Sequence, residues 1–210
     1  MTPKPPHSPP SNRRVIEVLA YPAVQLLDVT GPLQVFASAN ALTARAGNAE
    51  PYDVRVVAKD GPTVEASAGV GIAVHPLPAI GTAVDTLVIP GGDGVNAASS
   101  DRILVDWVRK RSADARRTAS VCTGAFLLAA SGALDGRRAV THWGFWEELA
   151  ARFPDVRVES DPIFVRDGTF WTSAGVTSGI DLALALVEDD LGRAAALAVA
   201  RYLVVFLKRP

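Results

Sequence analysis

Along this chain, short apolar runs alternate with longer stretches whose apolar residues recur at helical spacing. Val15-Ile16-Glu17-Val18-Leu19-Ala20, Tyr52-Asp53-Val54-Arg55-Val56-Val57, Thr86-Leu87-Val88-Ile89 and Thr118-Ala119-Ser120-Val121 have the length and composition of β-strands. Three of them lack strict alternation, which predicts strands covered on both faces. Helices are predicted over 26–42, 103–112, 124–131 and 143–152. Strand and helix alternating at this spacing imply right-handed βαβ units around a mostly parallel sheet, an α/β fold. Segments 64–76 and 163–171 interrupt the alternation. The second carries the turn pair Asp167-Gly168, and both are expected as antiparallel additions to the sheet. Two helices, 177–189 and 192–207, close the chain on either side of Leu191-Gly192, with Thr177 or Ser178 available to cap the first. Prolines at 3, 5, 6, 9 and 10 predict a disordered tail over residues 1–13. No repeat or linker interrupts the pattern after it, so residues 14–210 are expected to form one domain.

Composition narrows the functional class. With 210 residues, 49% hydrophobic and 20% charged, the chain can bury about 70% of its unfolded surface. Collagenous, coiled-coil and largely disordered classes are excluded. The single cysteine can make no internal disulfide and the amino terminus lacks a signal-like apolar core, so a cytoplasmic location is expected. The most apolar stretch, 194–207, is interrupted by Arg201 and is shorter than the ~20 residues that span a bilayer; no membrane association is expected. Twenty-one basic against twenty-two acidic side chains give a net charge of −1, which offers nucleic-acid phosphates no overall attraction. One cysteine and three scattered histidines supply no metal-ligand spacing, and no cofactor is implied. The Gly92-x-Gly94-x-x-Ala97 spacing matches a dinucleotide fingerprint, but Pro90 occupies the place of its tight first turn. The pairs Arg116-Arg117 and Arg137-Arg138 read as solvated loop charges.

The chemistry concentrates in Ala119-Ser120-Val121-Cys122-Thr123-Gly124-Ala125-Phe126. A small apolar strand runs into Cys122 and a helix begins within two residues, so the thiol is expected on a sharp strand-to-helix turn, the geometry of a nucleophile elbow. A helix N-terminus favours thiolate over thiol, which predicts a reactive, low-pKa cysteine. A small buried core residue is the other reading, since free cysteines are commonly buried. Pro90-Gly91-Gly92-Asp93-Gly94 follows another strand, and the Gly92 and Thr123 N–H groups could together form an oxyanion hole or ligand contact; a surface turn is the alternative. His142, in Thr141-His142-Trp143, follows a strand candidate but has no acid two residues later, where Gly144 stands. It is either a polar contact behind the site or a structural residue. Asp28, in an apolar run before Pro32, either caps a helix or faces Cys122, where burial and a nearby thiolate would keep it protonated near neutrality and able to shuttle a proton.

Ser120-Val121-Cys122-Thr123-Gly124-Ala125-Phe126, the loop Pro90-Gly91-Gly92 and Gly136-Arg137-Arg138-Ala139-Val140-Thr141-His142-Trp143 resemble the ThiJ/PfpI family of the class I glutamine amidotransferase-like fold. The resemblance covers residues 14–207 and implies a flavodoxin-like three-layer α/β/α sandwich with a mostly parallel central sheet and hairpin additions. Two branches of that family share Leu27-Asp28-Val29-Thr30-Gly31-Pro32 and Cys122-Thr123: isocyanide hydratases, and the amino-terminal domains of GlxA-type AraC-family transcription regulators. In the hydratases, the residues matching Asp28 and Cys122 serve as acid/base and nucleophile. Proteases of the family place a histidine directly after the cysteine, where this chain has Thr123. The carboxyl-terminal segments 171–181 and 200–210 look like the regulators, whose chains continue into a helix-turn-helix domain. The resemblance therefore implies a homodimerising, small-molecule-sensing domain, with Cys122 and Asp28 central and Gly91, Gly92, Thr123 and His142 around them. It would meet DNA only through a carboxyl-terminal domain outside this chain. The alternative is a hydratase that converts an isocyanide to an N-substituted formamide through a Cys122 thioimidate.

Overall fold

A computed structural model describes residues 13–205. In chain order its strands are β1 (Arg14–Ala20), β2 (Tyr52–Ala58), β3 (Thr63–Glu65), β4 (Gly71–Ala73), β5 (His75–Pro76), β6 (Thr86–Ile89), β7 (Arg117–Val121), β8 (Arg138–Ala139), β9 (Arg157–Val158), β10 (Phe164–Asp167) and β11 (Phe170–Ser173). Its helices are α1 (Leu26–Arg45), α2 (Val95–Ser100), α3 (Arg102–Asp114), α4 (Gly124–Ala130), α5 (Trp146–Arg152), α6 (Ser178–Leu191) and α7 (Arg193–Tyr202). The expected tail over 1–13 lies outside the described residues except for residue 13. Of the expected 192–207 helix only residues 206 and 207 lie outside them; α7 ends at Tyr202, short of the expectation, and Val204 turns the chain out of it with φ +55°.

Seven strands form the central sheet in the order β10-β11-β7-β6-β1-β2-β5. Every pairing in it is parallel except β10 with β11. Helices α1, α6 and α7 pack together on one face, and α2, α3 and α4 on the other. This is the flavodoxin-like three-layer arrangement. Strands β6 and β7 are buried at every position, which explains their apolar or small character after Arg117: both faces meet helices and neither meets water.

Three further expectations change. Segment 64–76 does not add antiparallel strands to the main sheet: β3 and β4 pair with each other in a separate two-stranded sheet, and β5 joins β2 in parallel. The hairpin pairs with itself, closing its turn through Ala66 N–H to Val70 O, and its outer groups bond to the 23–24 loop, Glu65 O accepting the Ala23 N–H and Ser67 N–H donating to Val24 O, so it needs no ladder from the sheet. The helix expected from 143 begins at Trp146, because Phe145 N–H closes a turn on His142 O and Gly144 N–H donates to His142 Nδ1. Arg117 is buried rather than solvated, with hydrogen bonds to Thr86 Oγ1, Leu186 O, Asp189 and Asp190. A second buried cation, Arg111, holds Glu17 through Nε at 2.7 Å and Nη2 at 2.6 Å, with both residues fully buried.

Candidate functional site

Strands β6 and β7 lie side by side and end at the same edge of the sheet, so the loops that follow them meet. Brief connections leave little room between them, and glycine makes the approach possible. A Cβ on Gly124 would lie 2.1 Å from Ile89 O, and one on Gly91 would lie 2.5 Å from both the Thr123 nitrogen and its Oγ1. Larger residues at either position would push the two loops apart.

Cys122 occupies the turn between β7 and α4 with φ +57°, a conformation that residues other than glycine rarely adopt. Its backbone is fastened on both sides: its N–H donates to Ser173 O at 3.0 Å, and its carbonyl accepts from Thr141 Oγ1 at 2.9 Å. The residue is 7% exposed. Asp28, in the first turn of α1, is fully buried. It does not cap a helix begun by Pro32, because α1 starts at Leu26 and runs through that proline. Its Oδ2 instead accepts the Gly91 N–H at 2.9 Å, while Oδ1 has no hydrogen-bond partner among the described residues. Tyr21, just past β1, donates its hydroxyl to Pro90 O at 2.7 Å and completes the buried polar cluster.

Burial sets the protonation of this cluster. Desolvation pushes the Asp28 carboxyl up to about 6 against the pull of the Gly91 N–H and the Cys122 thiol. Desolvation and then the Asp28 charge push the Cys122 thiol up to about 11, opposed by the Thr123 and Val176 N–H groups and the Thr123 hydroxyl. The low-pKa thiol expected at a helix N-terminus is thus reversed: the thiol is enclosed beside a carboxylate, and α4 has only seven residues. Tyr21 is also raised, by burial first and then by Asp28 and Cys122. At neutral pH the pair rests as thiol and carboxylate.

The cavity above the thiol holds about 360 Å3, and its lining includes Cys122, Thr123, Gly92, His142, Phe126 and Glu148. Four of the six residues singled out from the sequence therefore reach it. Asp28 and Gly91 stand behind it, in contact with the Cys122 turn. The Gly92 N–H donates to Thr123 Oγ1 at 3.0 Å, so that half of the expected oxyanion hole is already engaged. Gly175, φ +139°, separates His142 from the thiol: a Cβ there would sit 2.9 Å from His142 Cδ2 and 3.5 Å from Cys122 Sγ. Sequence reasoning passed over Tyr21 and Val176. Tyr21 had a usable signal, since it directly follows a central strand at the sheet edge where α/β sites collect.

The isonitrile hydratase of Pseudomonas putida is 36% identical over 179 residues, covering 84% of this chain and 72% of that enzyme. The HTH-type transcriptional regulator GbdR of Pseudomonas aeruginosa is 31% identical over 210 residues, covering 97% of this chain. This chain accounts for only 54% of GbdR's length. Among solved structures, a ThiJ/PfpI family protein from Pseudomonas syringae superposes with a TM-score of 0.80 at 29% identity, covering 99% of this chain and 84% of that one. A profile of the DJ-1/PfpI family matches residues 13–189, and the chain belongs to that family.

Proposed function

We propose that residues 14–210 form a single ligand-sensing and dimerisation domain of a GlxA-type AraC-family regulator, which binds a small molecule in the Cys122 cavity. The observation that carries this reading is the extent of similarity: the match to GbdR runs across 97% of this chain, the match to the hydratase across 84%. A neutral thiol beside an ionised carboxylate is a resting state from which either reversible binding or the addition chemistry below can start. In this reading Cys122, Thr123, Gly92 and His142 contact the ligand, while Asp28 and Gly91 set the protonation behind them. DNA contact belongs to a segment outside this chain, and the two-fold symmetry that paired DNA half-sites ask for is supplied by a homodimer. A cytoplasmic location goes with this role; among the described residues no helix is long and apolar enough to cross a membrane.

The identity with the hydratase favours a second reading, an isocyanide-hydrating enzyme. There the Cys122 sulfur adds to the terminal carbon of R–NC, and Asp28 takes the thiol proton and delivers it to that carbon, giving a thioimidate. Water then adds to the same carbon, the C–S bond breaks, and the N-substituted formamide leaves with the thiol regenerated. Formamide production from an alkyl isocyanide separates the two readings. The sensor reading expects little or no turnover. Turnover at or above about 1 s⁻¹, abolished by both Cys122→Ala and Asp28→Asn, refutes it in favour of the hydratase.

A further inference from the structure

Across the 90–94 loop from Cys122 lies a second cavity, of about 490 Å3, within the size range of small-molecule sites. Tyr21 at the end of β1, Val64 of β3, Ala97 and Ala98 of α2, and Leu104 of α3 give it an apolar lining. It shares none of its lining with the Cys122 cavity. The charges that line it are one ammonium, Lys59, and three carboxylates, Asp60, Glu65 and Asp101. Lys59 is already committed: it pairs with Asp101 and lies 3.8 Å from Asp60. Asp101 is committed as well, since its Oδ1 accepts the N–H groups of Ile103 and Leu104 and caps α3. Glu65 makes no ion pair among the described residues. An apolar chamber with surplus negative charge at its exposed rim, on Asp60 and Glu65, is complementary to one kind of guest.

We propose that this cavity is a second ligand site, for a small organic cation with an apolar body and a primary ammonium group. The body lies against Tyr21, Ala98 and Leu104, and the ammonium is directed to Glu65 and Asp60. The Tyr21 hydroxyl is held by Pro90 O on the far side, so the guest meets the ring and not the hydroxyl. Occupancy is independent of the Cys122 chemistry, and the proposal stands whichever reading of that site holds.

The probe is 2-phenylethylamine, titrated calorimetrically into the full chain, with phenylacetate as the anion of matching shape. The expected result is a dissociation constant below about 1 mM for the amine and at least about tenfold weaker binding of phenylacetate. Ala97 is exposed, so Ala97→Phe fills the chamber without disturbing the core, and it is expected to abolish binding while the circular dichroism spectrum stays native. Glu65→Gln is expected to weaken binding about two- to fivefold, and Cys122→Ala to leave it unchanged. Equal binding of amine and acid, native binding by Ala97→Phe, no effect of Glu65→Gln, or loss of binding in Cys122→Ala would each overturn the assignment.

Discussion

Replacing Arg111 with methionine keeps much of the side-chain volume and removes the charge. In the native chain Glu17 sits in the middle of β1 between β2 and β6, with no route to water. Its carboxylate is held at 2.7 and 2.6 Å by the Arg111 fork, whose Nη1 also donates to Thr82 O at 2.7 Å. Arg111→Met therefore leaves a fully buried carboxylate without its hydrogen-bonded ion-pair partner, with only the half-exposed Arg55 of β2 acting on it through space, a change that costs about 3–5 kcal/mol, and strips Thr82 O of its donor for about 1 kcal/mol more. Against a typical domain stability of about 5–15 kcal/mol, the variant should still fold but unfold at much lower urea. The pair itself is a different matter, because desolvating two charges offsets most of their attraction. The double variant Glu17→Leu, Arg111→Met should consequently recover most of the loss. Equilibrium urea unfolding of the native chain, the single and the double variant measures both. A single-variant loss under about 1 kcal/mol, or a double variant no better than the single, would refute the reasoning.

Two further outcomes are expected. Cys122 alkylation should rise with pH toward a midpoint near 11, above the free-thiol value of about 8.5. Because the Asp28 carboxylate is one of the charges raising it, Asp28→Asn should lower the midpoint and speed alkylation at pH 8. A native midpoint at or below about 8.5, or no shift in the variant, would show that burial does not govern the thiol. Gly124→Ala forces a Cβ to within 2.1 Å of Ile89 O, a backbone atom that cannot step aside. Overpacking of this kind costs about 1–3 kcal/mol or more, so the thermal midpoint should fall by at least about 2 °C; an unchanged midpoint would mean that the β6 and β7 loops are less tightly joined than described.

The central strands were legible because burial on both faces leaves a direct mark: Thr86–Ile89 coincides with its predicted run, and Arg14–Ala20 and Arg117–Val121 differ by one residue at the start. Long-range chain reversal leaves no such mark, and nothing local distinguishes a hairpin that pairs with itself from one that extends the sheet. That is why β3 and β4 were misplaced. Helix α2 hid behind Gly91-Gly92-Asp93-Gly94, since six residues are too few for a helical period to emerge. At the site, Cys122 and Asp28 announced themselves by residue type and position. Their protonation did not, because dipole and burial pull the thiol in opposite directions and only the enclosure decides. Arg117 reads as a solvated charge until Asp190, seventy-three residues later, is seen against it.

The two borders of the seven-stranded sheet differ from its interior in a way that bears on solubility. One border, β5, is two residues long and ends in Pro76, which has no N–H to offer. The other, β10, carries Arg166 and Asp167, and Arg166 is tied to Asp189 at 3.2 Å. Short, proline-ended or charged margins discourage foreign strands from adding to a sheet. Copies of this chain that meet in a crowded solution therefore find no ready template for cross-strand growth at either border of this sheet. Those borders leave helical faces and loops, where side-chain complementarity decides the partner, as the surfaces open to any contact between copies.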